Sequence, residues 1–155
     1  MSGDAKTKLR LSVGDELRAP PRAMHRERMR WYVDGLFTAR ANDGNVDTEE
    51  NIHTDDDSAR SQGLPGIIAD GMISTNWIYG FLLDQFGDAY LHKGSLRTKY
   101  IKPILENQSV IAGLRVRQIE RAGNELRYLL DVWCEDQTGQ MLTVGAAEVQ
   151  LPETT

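Results

Sequence analysis

Apolar positions along the chain fall into two regimes that meet near Gly94. Before it, the spacing is helical. Met24, Met29, Tyr32, Val33 and Leu36 are placed for one apolar face, which predicts a helix over His25 to Phe37. From Gly71 to Phe86, residues Met72, Ile73, Trp77, Ile78, Tyr79, Phe81, Leu82, Leu83 and Phe86 cover nearly the whole circumference of a second helix. A helix apolar on nearly all sides must be buried on most of them. Gly80 in its interior costs about 1 kcal/mol against Ala, so close backbone packing is expected there.

After Gly94 the period becomes two. Leu96, Thr98 and Tyr100 alternate with Arg97, Lys99 and Ile101 until Pro103. Val110, Ala112, Leu114 and Val116 alternate with Ile111, Gly113, Arg115 and Arg117. Gly123-Asn124 makes a hairpin turn, and Leu126, Tyr128, Leu130, Val132 and Cys134 line one face of the next strand. A turn around Gln137-Thr138-Gly139 leads to a last strand from Met141 to Leu151. Strands joined by hairpin-length turns form an antiparallel sheet. A buried helix followed by such a meander predicts an α+β layer arrangement, with the twisted sheet curled around the helix. Leu129 and Trp133 fall on the sheet's far face, where either a second subunit or the N-terminal helix is expected to cover them.

The remaining segments are more polar. Lys8 to Leu17 reads as a strand entering a Gly14-Asp15 turn, and Ala39 to Asn51 as a loop. Thr54, with Asp57 three positions on, reads as the N-cap of a short helix through Arg60. Gly63 to Gly66 is a turn. At 155 residues with 40% hydrophobic and 26% charged content, the chain suits one globular domain with a core from about 8 to 151. A net charge of −5 disfavours nucleic acid as a partner. The N-terminal residues lack the apolar segment of a signal peptide. The longest apolar stretch, Gly71 to Leu83, is too short to span a bilayer. A cytoplasmic protein without a membrane partner is expected. Cys134, the single cysteine, falls on an apolar strand face and reads as a small core residue.

His25 and His92 lie in polar surroundings. His53 stands in Asn51-Ile52-His53-Thr54-Asp55, beside the acidic residues Asp47, Glu49, Glu50, Asp55, Asp56 and Asp57. Histidine is the side chain best suited to proton exchange near neutral pH. His53, Asp55 and Asp57 have the types of a hard-metal cluster, but carboxylates in a first helical turn also complement the helix dipole, and no metal is expected. The segment Gly66 to Gly71 runs directly into the apolar helix. The first amides of a helix have no internal partners and can polarise a carbonyl. Asp70 is there either as the helix N-cap or as a site carboxylate.

The stretch NIHTDDDSARSQGLPGIIADGM resembles the signature of MaoC-like dehydratases and (R)-specific enoyl-CoA hydratases. LSVGDEL, YIKPIL and GAAEVQL extend the resemblance over Lys8 to Leu151. It implies the hot-dog fold, an antiparallel sheet wrapped around a long central helix, and a homodimer or higher homo-oligomer. It also implies a hydro-lyase acting on the double bond of a 2-enoyl-CoA-type thioester, with no metal and no redox cofactor. Under it His53 is the catalytic histidine, and the amide of Gly71 binds the thioester carbonyl. Asp55, Met72 and Tyr79 are the further substrate-binding candidates. The family's catalytic aspartate position holds Thr48, and a one-residue gap brings Glu49 there, with Asp47 a third possibility. The histidine of the family's His-Gly-Met is replaced by Asp70. Glu49 and Asp70 are therefore the candidate catalytic carboxylates. A hot-dog acyl-CoA thioesterase and a non-catalytic acyl-CoA-binding subunit of a hydratase complex are the alternatives.

Overall fold

A computed structural model describes residues 10–40 and 50–153. In chain order these form β1 (Glu16–Arg18), β2 (Arg22–Ala23), α1 (Arg26–Arg40), α2 (Asp56–Ser61), α3 (Gly71–Phe86), α4 (Asp88–Lys93), β3 (Ser95–Tyr100), β4 (Ser109–Ala122), β5 (Glu125–Asp136) and β6 (Met141–Pro152). The strands make one sheet in the order β1-β4-β5-β6-β3, with β2 also on β4, and every pairing is antiparallel. The period-two segments are thus the four long strands, and their turns fall at Gly123 and Gly139, both with positive φ.

The sheet and α3 share one core. Ile73, Ile78, Phe81, Leu82 and Phe86 of α3 pack with Leu114, Val116, Leu130, Val132 and Val149 of the sheet. Each such side chain contributes roughly 1.5–3 kcal/mol by leaving water. This is the α+β arrangement expected, with the predominantly apolar helix as its centre. One stripe of α3 stays open, however: Met72, Asn76 and Tyr79 are exposed. Gly80 has nothing close to where a Cβ would stand, so close packing does not account for it.

Trp133 is buried on the other face of the sheet. Within the chain its cover comes from β1 rather than from α1. Gly113, directly opposite on β4, leaves room for the indole, and the Arg18 guanidinium of β1 lies 5.3 Å from the ring centroid. The cation therefore stacks on the ring while also binding Glu135 at 2.8 Å.

Local boundaries depart from expectation near the N-terminus. The turn at Gly14 precedes the first strand, which begins only at Glu16. Asp15 closes that turn by accepting from the Ser12 amide. Residues 8 and 9, and 41–49 of the expected loop, lie outside the described residues, and α1 runs on to Arg40. Asp55, not Thr54, caps α2, accepting from the Ser58 amide at 2.6 Å. Thr54 instead accepts from the Asn51 amide. The short helix α4 has no amphipathic run to announce it.

Candidate active site

The segment before α3 is held on two sides. The Ile68 amide donates to the Ile52 carbonyl at 3.0 Å, the Ala69 amide to Ile104 at 2.9 Å, and Ile68 forms a bridge with Leu105. Asp56 accepts from the Ile67 amide at 3.0 Å. Arg26 then clamps α1 to this region, reaching Asp56 at 2.9 Å and Glu106 at 2.6 Å. The guanidinium holds both carboxyls below the usual carboxylate range.

His53 is set by the same framework. Asn51 Oδ1 accepts from the His53 amide at 2.8 Å, while the Thr54 and Asp55 amides donate to the Asn51 carbonyl. The imidazole Nδ1 lies 2.9 Å from the Ile68 carbonyl oxygen. Across from it α3 begins at Gly71. Asp70 caps the helix by accepting from the Met72 amide at 2.8 Å. Ser74 donates to the Gly71 carbonyl at 2.7 Å and pairs with the buried Thr143 hydroxyl at 2.8 Å. No hydrogen bond reaches the Gly71 amide from the described residues, as the first helical position allows.

His53 and Gly71 line one cavity of about 480 Å³, together with Ile68, Tyr100, Lys102 and Thr143 among others. Its walls are mostly apolar, with a base, an unpaired helix amide and a hydroxyl converging on the same space. This can seat an acyl group, polarise its carbonyl and move a proton beside it.

The other candidates stand elsewhere. Asp70 is at the helix mouth, but its side chain serves as the cap and it is not part of the cavity wall. Burial, followed by the Asp70 charge, raises the Tyr32 phenol above its ordinary pKa. Asp55 is turned to Ser58. Met72 and Tyr79 lie on the exposed stripe of α3, and Tyr79 packs on Tyr90 with ring centroids 5.5 Å apart. Glu49, Thr48 and Asp47 lie outside the described residues. Cys134 is buried under α3, and burial pushes its thiol up to about 12. Among the described residues no three His, Cys, Asp or Glu side chains gather as metal ligands. No described helix is long and apolar enough to cross a membrane.

The sequence does not single out Tyr100, Lys102 and Thr143, which also line the cavity. Tyr100 and Thr143 reach the cavity through the β3–β6 register, which sets them opposite each other, and Lys102 follows just past β3 with its amide on the Leu142 carbonyl. Their only local signal is a hydroxyl and an aromatic ring on neighbouring strands.

No protein-family model and no curated protein sequence matches the chain. Solved structures do. A MaoC-like dehydratase from Rhodospirillum rubrum superposes with a TM-score of 0.72 at 14% identity, covering 94% of this chain and 95% of that one. An (R)-hydratase from A. caviae involved in PHA biosynthesis gives 0.67 at 18% identity, over 92% and 98%. A 3R-hydroxyacyl-ACP dehydratase complex from Mycobacterium tuberculosis gives 0.65 at 17% identity, over 94% and 100%. At these identities the likeness is one of fold: the chain has the α+β hot-dog fold of MaoC-like dehydratases and (R)-hydratases.

Proposed function

We propose that the protein adds water to, or removes it from, the double bond of a 2-enoyl thioester of coenzyme A. The observation that carries this reading is the single cavity shared by His53 and the Gly71 helix start. The solved hydratases and dehydratases of the same fold support it.

In the hydration direction the thioester carbonyl oxygen sits on the Gly71 amide at the positive end of α3. His53, with Nδ1 against Ile68, offers Nε2 to a water, and Glu49 or Asp70 holds the same water from the other side. The water oxygen bonds to C3 as one of the two groups takes its proton. The C2–C3 π electrons shift toward the carbonyl, whose oxygen gains enolate charge. The other group then delivers a proton to C2, and the oxygen's charge returns to the carbonyl. A donor aimed at such an oxyanion typically supplies about 3–4 kcal/mol of transition-state stabilisation. The helix dipole adds to it.

The exposed Met72–Tyr79 stripe of α3 and the outer edge of β3, which no described strand pairs, suit burial in a homodimer. Sedimentation of the purified chain at twice the monomer mass is expected.

The test of activity is loss of enoyl absorbance with a panel of short, medium and branched 2-enoyl-CoA thioesters, alongside a thiol-trapping reagent. Loss of the enoyl signal without thiol release is expected. Thiol release from saturated acyl-CoA identifies a thioesterase instead. Acyl-CoA binding without any turnover identifies a binding subunit.

A further inference from the structure

Tyr100 ends the edge strand β3 and lies directly on the start of α3. A Cβ placed on Gly71 would stand 2.8 Å from Cδ2 and Cε2 of the Tyr100 ring, closer than any side chain tolerates. The ring therefore occupies the space that every other residue type at 71 would need. It lines the same cavity as His53 and Gly71.

The ring is braced at both ends. Its hydroxyl lies 2.9 Å from Thr75 Oγ1, one turn into α3, and 3.2 Å from Met72 Sδ. Thr75 is also 2.8 Å from the hydroxyl of Thr98, on the same strand as Tyr100. Two strand residues thus grip one helix residue. On the backbone side, the amides of Ile101 and Lys102 both donate to the Leu142 carbonyl, at 2.9 and 3.1 Å. Tyr100 is 47% exposed, so these bonds rather than burial hold the ring against the helix start.

We infer that Tyr100 is a specificity-determining residue that restricts the site to thioesters unbranched at C2. The inference rests on the proposed seat of the thioester carbonyl at the Gly71 amide. With the carbonyl there, C2 is one bond from the seated carbon and lies beside the ring. A planar, unsubstituted C2 passes along the ring, whereas a methyl on C2 meets it. One methyl group against a fixed wall changes selectivity by about 10-fold or more.

The experiment compares 2-butenoyl-CoA with 2-methyl-2-butenoyl-CoA by kcat/KM, and butyryl-CoA with 2-methylbutyryl-CoA by calorimetric binding. The wild type should favour the linear member of each pair by about 10-fold or more. Tyr100→Phe, which keeps the ring but loses the hydroxyl's bonds to Thr75 and Met72, should still favour the linear member, by less than the wild type. Tyr100→Ala should bring both ratios close to one; Tyr100→Leu replaces it if the alanine variant does not fold. Ratios do not depend on the fraction of active protein, so a general structural defect leaves them unmoved. Ratios unchanged in the alanine or leucine variant, or absent in the wild type, overturn the inference. If the wild type turns over neither enoyl thioester, the hydratase reading fails, and the binding ratio alone still decides the role of Tyr100. Failure to bind any of the saturated thioesters sinks both.

Discussion

His53 Nδ1 stands 2.9 Å from the carbonyl oxygen of Ile68, three residues before the glycine that opens α3. A carbonyl can only accept, so Nδ1 carries the hydrogen and the neutral ring keeps its lone pair at Nε2. The bond also ties the base to the helix start, because Ile68 is itself fixed by Ile52 and Leu105. His53→Ala should therefore lower enoyl hydration by ~10²–10⁴-fold, the usual worth of a positioned general base. Binding of a saturated acyl-CoA should change only a few-fold. Equal loss of binding and turnover would mean that the substitution had collapsed the site rather than removed a proton carrier.

The contact between Gly71 and Tyr100 makes a stability prediction independent of any substrate. Gly71→Ala forces its new methyl into the ring and should cost about 1–3 kcal/mol, as overpacking does. In a Tyr100→Ala background the same change should cost much less, since the space is vacant. Urea unfolding of the two single variants and the double variant measures this coupling. Simple additivity would show that the ring does not rest on Gly71 in solution.

These residues also show how far the sequence could be read. Period-two alternation is a local property, so β4, β5 and β6 were legible, as was the apolar α3 at their centre. His53 and Gly71 were legible as chemistry because each stands out where it lies: one imidazole in an acidic stretch, one glycine at a helix mouth. Their meeting was implied only by the family resemblance and not by the local pattern, because it depends on Ile68 being held between residues 52 and 105. Tyr100 and Thr143 were hidden for the same reason. Alternation fixes which residues share a face, but the cross-strand register that sets Tyr100 opposite Thr143 is a tertiary fact. The misplaced first strand has a simpler cause. Ser12 and Asp15 close a turn by a side chain–backbone bond that competes with extended structure before Glu16. At α2, Asp55 outcompeted Thr54 for the cap because only its carboxylate reaches the Ser58 amide.

Acid stability should report the Arg26 clamp. Asp56 and Glu106 both have their carboxyl pKa lowered in the folded chain, first of all by hydrogen bonds from Arg26. A lowered folded pKa gives stability that is fully present above the unfolded value. It is lost as pH falls through the folded value. The thermal midpoint should accordingly decline as pH falls below the ordinary carboxylate values of about 4. All three side chains are partly exposed, so the effect is modest. Arg26→Met should lower the midpoint near neutral pH and flatten its decline over the acid window. Melts of the two proteins in a pH series check this, and an equally steep decline in both would assign the acid sensitivity to other carboxylates, of which Glu16 and Asp136 are also lowered.

The second proton-transfer group can be separated from the helix cap by choosing substitutions that split the two roles. Asp70 Oδ1 accepts from the Met72 amide at 2.8 Å, and an asparagine oxygen can do the same. Asp70→Ala should therefore destabilise the fold by about 1 kcal/mol, whereas Asp70→Asn should melt close to the wild type. If Asp70 only caps the helix, the asparagine variant hydrates enoyl thioesters within a few-fold of the wild-type rate. In that case Glu49 is the preferred carboxylate, ahead of Asp47, and Glu49→Gln should lose turnover by ~10²-fold or more while still binding saturated acyl-CoA. This is the outcome we expect, because the Asp70 carboxylate is already committed to the amide of Met72 and lies outside the cavity wall. The reverse pattern, a stable but inactive Asp70→Asn beside an active Glu49→Gln, would assign the proton transfer to Asp70. Full activity in both variants would remove both carboxylates, and with them a water shared between His53 and either one.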